Sequence, residues 1–235
     1  QRPLRRSACL ARATGTATVT SGNLTAVTLT TSGSGFVNGQ SVTITGVSSS
    51  ATTTGTATVA SNIDIQANTG AVTLGALNAG VNAAGAINIK HGNTLTLNNN
   101  ITAGSFTETA LSVGTIVVGN ATPVTFQVSG TNTGFQFLNP IQLKQNLIIL
   151  SNSNVLFDGT VDTQTGSASR NLAITVQAGA SKNVTFSGAV GSNVNVAMGD
   201  ITIAGAAAIN AGTNTITALS LDATATGVVT LKGLQ

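Results

Sequence analysis

The segment Val155-Leu-Phe157-Asp-Gly159-Thr-Val161 returns 29 residues later as Val184-Thr-Phe186-Ser-Gly188-Ala-Val190, and Val124-Thr-Phe126 stands 31 residues before the first copy. This repeat limits the fold because apolar residues two apart lie on one face of a strand, while the Gly that follows ends the run. The same spacing recurs in Ile63/Ile65, Val72/Leu74, Ile87/Ile89, Leu95/Leu97, Ile174/Val176, Ile201/Ile203, Leu219/Leu221 and Val229/Leu231, with Asn, Gly, Ser and Ala between the runs. Strands this short cannot stand alone and must stack their inward residues on neighbours. Short strands with Asn/Gly corners, repeating every 20 to 30 residues or so, fit a parallel β-solenoid. At roughly 4.8 Å per coil, the residues beyond 60 would form about six to nine coils in a rod of about 30 to 45 Å. The fold class expected is therefore all-β, a parallel β-solenoid (β-helix) preceded by a small β-rich module, with a β-sandwich as the alternative.

The chain changes texture near residue 60. Residues 1–13 read as a basic tail or linker, 14–60 as a small β repeat module and 61–235 as the solenoid. The module begins and ends on one hexapeptide, Thr14-Gly-Thr-Ala-Thr-Val19 and Thr54-Gly-Thr-Ala-Thr-Val59, forty residues apart. Between the copies, Leu24-Thr-Ala-Val-Thr-Leu-Thr30 and Ser41-Val-Thr-Ile-Thr45 carry the β-branched strand signal. Gly33-Ser-Gly35 and Asn38-Gly39 supply turns.

Two resemblances follow from these residues. The stretch 14–59, with Gly33-Ser-Gly35-Phe36 before Val42-Thr-Ile-Thr45-Gly46, resembles a repeat module of bacterial and phage surface proteins, with Gln40 where a Pro is common. Val184 to Gly191, Leu172-Ala-Ile174-Thr-Val176-Gln-Ala178-Gly179 and Gly70-Ala-Val-Thr-Leu-Gly75 resemble the repeats of filamentous-haemagglutinin-type adhesins and other large bacterial β-repeat surface proteins. That likeness covers most of residues 60–235. It implies a β-helical, exported protein of the cell surface or extracellular matrix, acting in adhesion or matrix building. The sequence departs from the best-known members in having no recognisable secretion domain, Arg-Gly-Asp tripeptide or Cys-bonded cap.

The side chains that run reactions are scarce. Six acids, one His and one Cys occur in 235 residues, with no Trp or Tyr. The formal charge of +3 belongs to Arg2, Arg5, Arg6 and Arg12, since beyond them five basic residues face all six acids, a net of about −1. A nucleic-acid-binding face needs a basic stripe on the folded body, so no nucleic-acid partner is expected. No run approaches the roughly 18 to 20 apolar residues of a membrane-spanning helix. Cys9 is unpaired and settles no redox compartment.

β-Solenoids often host glycoside hydrolases and polysaccharide lyases, and glycoside hydrolysis usually needs two carboxylates about 5 to 10 Å apart. Asp158 and Asp162 are the acids closest in sequence, and Asp158 reads as a turn former before Gly159. Asp200 and Asp222 could stack on successive coils, but each adjoins a strand end, where a capping or solvent-facing role is favoured. His91 sits in Lys90-His91-Gly92-Asn93, a turn setting, and as the single His it gives a metal cluster or an acid–base relay few parts. Gly33, Gly35 and Gly39 miss the dinucleotide-loop spacing. Accordingly no catalytic, cofactor-binding or metal-ligating residue and no cofactor is assigned.

The expected function is a noncatalytic extracellular structural or adhesive protein acting through repeated Thr/Asn surfaces. Its partners would be other copies of itself or neighbouring surface proteins, together with glycans or cell surfaces. The alternatives are a self-assembling filament or sheath subunit, joined by strand addition or end-to-end stacking, and a polysaccharide-active enzyme on a solenoid.

Overall fold

A computed structural model describes residues 14–20, 23–31, 42–45, 52–53, 57–58, 63–67, 70–79, 85–110, 114–119, 122–130, 134–177 and 181–231, with the backbone alone before residue 63. The basic tail with Cys9, the turns at 33–39 with Phe36, and Lys232 lie outside the described residues.

The chain opens with an antiparallel pair, β1 (Thr14–Thr20) and β2 (Asn23–Thr31). From there every pairing is parallel, and successive strands visit three sheets in turn. The first circuit is β3 (Val42–Thr45), β4 (Thr52–Thr53) and β5 (Ala57–Thr58), the second β6 (Ile63–Ala67), β7 (Val72–Leu74) and β8 (Leu77–Asn78). Then come β9 (Ala86–His91), β10 (Thr94–Leu97) and β11 (Ile101–Ala103), followed by β12 (Ser105–Ala110), β13 (Thr115–Val118) and β14 (Val124–Val128). The next two circuits are β15 (Phe135–Phe137), β16 (Ile141–Leu143), β17 (Leu147–Ser151), and β18 (Val155–Phe157), β19 (Val161–Thr163), β20 (Leu172–Val176). The last are β21 (Asn183–Phe186) with β22 (Met198–Ala206), β23 (Ala208–Asn210) with β24 (Ala218–Ala225), and β25 (Val229–Thr230). In these the middle sheet shrinks to single bridges at Val190 and Ile216.

The molecule is thus an all-β parallel solenoid of about six turns. The first sheet runs β3-β6-β9-β12-β15-β18-β21-β23-β25, the second β1-β2-β4-β7-β10-β13-β16-β19, and the third β5-β8-β11-β14-β17-β20-β22-β24. Pairing crosses the texture change at residue 60 without a break, for β3 pairs with β6 and β5 with β8.

The core is what alternation dictates. Each strand turns every second residue inward, and parallel register sets like positions on one another in columns. One column runs Ile63, Ile87, Phe106, Phe135, Val155, Val184, Ile209. The second sheet adds Val72, Leu95, Ile116, Ile141, Val161 and the third Leu77, Ile101, Phe126, Ile149, Ile174, Ile203. Six of the seven Phe are buried in this narrow interior, where Phe157 and Phe186 stack with ring centroids 5.2 Å apart and planes 5° apart.

One alignment read from the sequence is corrected. Val124-Thr-Phe126 lies in β14 on the third sheet, whereas Val155 and Val184 lie on the first, and the residue stacked on Val155 is Phe135. Apolar pairs two apart serve all three faces, so their recurrence does not tell which face a strand occupies. The repeated Gly, in contrast, is placed by its corner. A Cβ on Gly159 would come 2.4 Å from the Asn139 carbonyl carbon, and one on Gly188 2.5 Å from that of Gly159. Coils approach there too closely for any side chain. Leu219 and Val229, read as inward, are 70% and 41% exposed in the last described circuit, where stacked neighbours are present on one side only.

Candidate functional site

Four polar residues interrupt the inward columns: His91, Glu108, Ser151 and Thr163, all buried. Thr163 and Ser151 are satisfied locally. The Thr163 hydroxyl donates to the Ala197 carbonyl at 3.2 Å and accepts from Arg170 N–H at 3.3 Å, while the Ser151 hydroxyl donates to the Ser153 carbonyl at 3.0 Å.

His91 and Glu108 meet. The sequence places His91 in a turn, and the structure corrects this: His91 is the last residue of β9, continues the inward alternation of Ile87 and Ile89, and is 0% exposed. Glu108 occupies the column otherwise held by Ile65, Ile89, Phe137, Phe157 and Phe186, and is also 0% exposed. His91 Nε2 lies 2.6 Å from Glu108 Oε1, and Nδ1 lies 2.6 Å from the Asn93 carbonyl oxygen. Asn139 Nδ2 donates to Oε1 at 2.6 Å, and the Leu138 and Asn139 amides donate to Oε2 at 2.9 and 3.2 Å. Burial alone would push this carboxyl up, but the hydrogen bonds from His91, Asn139 and Leu138, with the His91 charge, outweigh it and hold Glu108 below the ordinary carboxylate value. Asn139 stands at the corner position that Gly159 and Gly188 fill on later coils. The trio therefore spans three successive coils, out of reach of solvent.

A signal for this centre exists in the sequence. Continuing the parity of Ile87/Ile89 to His91, and of Phe106 to Glu108, turns both inward, and the Phe-x-Gly corner becomes Phe137-Leu-Asn139. Counting apolar residues alone passes over it.

The acids weighed for catalysis fall elsewhere. Asp158 is exposed at the corner after β18. Asp162 points outward from β19, where Oδ1 accepts from the Ser192 hydroxyl at 3.1 Å and from Asn193 N–H at 3.0 Å, fastening the segment 191–197. Asp200 and Asp222 do lie on neighbouring coils, inside β22 and β24 rather than at their ends, but two residues out of register: Asp200 pairs with Ser220 and Thr202 with Asp222. The Ser220 hydroxyl donates to Asp200 Oδ1 at 2.7 Å. Asp64 accepts from Asn88 Nδ2 at 2.6 Å on the adjacent strand. Among the described residues no group of three His, Cys, Asp or Glu is placed to hold a metal ion.

The outward positions form the accessible candidate site. On the first sheet they run Asp64, Asn88, Thr107, Gln136, Leu156, Thr185, Asn210, Thr230 in register, and on the second Thr73, Thr96, Val117, Gln142, Asp162. At the corners, Asn side chains tie coil to coil. Asn146 Oδ1 accepts from Asn171 N–H, and Asn171 Oδ1 from Asp200 N–H, both at 3.0 Å. Asn154 Oδ1 accepts from Asn183 N–H at 2.9 Å. Such an array offers hydroxyls and amides at one-coil intervals with little fixed charge. Among the described residues no helix is long and apolar enough to cross a membrane. No protein-family model, curated protein or solved structure matches this chain.

Proposed function

We propose that the chain is a noncatalytic extracellular structural or adhesive protein that works through its outward Thr, Asn and Gln columns. The observation carrying this reading is the in-register first-sheet column Asn88, Thr107, Gln136, Thr185, Asn210, interrupted only by Leu156. Neutral donors and acceptors repeating at about 4.8 Å suit a partner that is itself a repeating polar chain, such as a glycan or another copy of this surface. Glycan-array and cell-adhesion assays test it. Binding should be lost when Thr185 and Asn210, whose side chains face outward, are both changed to Glu. Native protein that binds no glycan or cell and does not assemble would sink the proposal.

The end of the described solenoid favours a second reading, a self-assembling filament or sheath subunit. β24 and β25 are outermost in their sheets, and Leu221, Ala223, Ala225 and Leu231 pack on the core while remaining partly exposed. An open strand edge beside apolar side chains is a template for further strands. A polysaccharide-active enzyme is less well supported, because Asp162 already serves the 191–197 segment. Turnover of a polysaccharide by the native chain, abolished by Asp158→Asn or Asp162→Asn, would reinstate it.

A further inference from the structure

We infer that His91, Glu108 and Asn139 form a register lock, the device that fixes which residues of three successive coils stack on one another. Elsewhere in this region the columns do not discriminate. A slip of two residues preserves the in/out alternation of a strand, and only odd slips turn apolar residues to solvent. Sliding β12 by two against β9 would set Phe106 on Ile89 instead of Ile87, one Ile for another. The apolar core alone barely distinguishes the two alignments.

The polar trio does distinguish them. In the observed register Glu108 lies beside Ile89 on one neighbour and Phe137 on the other, with His91 reaching it from two positions further along β9. Its second oxygen collects the amides of Leu138 and Asn139, which directly follow β15. A slip on either side withdraws donors from a carboxylate that is 0% exposed, leaving a buried charge without partners. Space is equally specific around the imidazole. A Cβ on Gly114 would come 2.8 Å from His91 Cε1, so the ring fills the gap that a residue without a side chain leaves at this corner. Buried polar groups that specify register at some cost in stability are known from coiled coils, and the same logic applies to stacked strands.

Paired cysteines on the outward face read the register directly, in the full chain with Cys9→Ser to remove the native thiol. Asn88→Cys with Thr107→Cys reports the observed alignment, since the two are partners on adjacent parallel strands. Lys90→Cys with Thr107→Cys, and Asn88→Cys with Thr109→Cys, report slips of two residues in either direction. Residues two out of register are about 8 Å apart, beyond disulfide reach. With the trio intact the first pair should oxidise and the others should lag. With His91→Leu and Glu108→Leu together, the chain should stay folded and about as stable, because apolar replacements of a buried ion pair are often neutral or better. The ratio of observed to slipped cross-links should nevertheless fall by at least about tenfold. If that variant does not fold, Glu108→Gln in the same three backgrounds decides by the same ratio. A ratio unchanged in the folded variant, with stability alone altered, would show that the trio stabilises without specifying register and would overturn the inference.

Discussion

At the scale of single residues, the decisive contrast is between removing one member of the buried pair and removing its charge. Glu108→Ala leaves His91 with its Glu108 partner gone in a 0% exposed site and should cost about 3 to 5 kcal/mol in denaturant unfolding. Glu108 also sets a pH dependence. Its folded carboxyl is held below its ordinary value of 4.5, so its contribution is fully present above that value and is lost as pH falls through the lower folded value. The native chain should lose stability as pH is lowered from 4.5 in a step that Glu108→Gln lacks. Equal acid sensitivity in the two would place the titrating group elsewhere. His91 and Glu108 were hidden from pattern reading for one reason: the strand signal is counted in apolar residues, and a polar side chain on the inward parity looks like the end of a strand. Only the next coil reveals that Lys90-His91 continues β9, because Thr109 and Ala110 pair with those residues.

At the scale of elements, the strands were legible because each inward pair is spaced by two, and the corners because Gly and Asn mark them. The Gly at 159 and 188 is required by backbone contact with the coil before, and Gly188→Ala should destabilise by about 1 to 3 kcal/mol, as overpacking does. Phe157→Ala should cost more, about 3 to 5 kcal/mol, since the ring is buried between Phe137 and Phe186. Thermal or denaturant melts rank the two, and the reverse order would mean that the corner rather than the aromatic stack limits stability. The face that each strand occupies was not legible. Coil length varies, from 20 residues between Phe135 and Val155 to 29 between Val155 and Val184, because the segment from Gln164 to Asn171 enlarges one corner. A fixed period therefore pairs Val124 with the wrong sheet. The role of Asp162 was equally out of reach, since Ser192 and Asn193 come to it only through stacking, 30 and 31 residues away.

At the scale of the whole molecule, a solenoid is close to one-dimensional: each coil touches its neighbours, and stability is nearly a sum over interfaces. The two ends of such a rod govern what it does in company. One end of the second sheet finishes in an antiparallel pair, β1 and β2, while the described strands at the other end, β24 and β25, present parallel edges. The residues beyond Arg12 have a net charge of about −1, so little long-range repulsion opposes close approach of copies. If the β24–β25 edge recruits strands, the 235-residue chain should form rods that lengthen with concentration in negative-stain images. Leu219→Lys with Val229→Lys should then hold it monomeric, because charged residues on a strand edge block pairing. Both side chains are exposed, so the substitutions should leave the melting temperature of the monomer nearly unchanged. Persistent monomers of the native chain at every concentration would remove the filament reading and leave adhesion through the outward columns, whereas rods that survive both Lys substitutions would locate assembly on another surface.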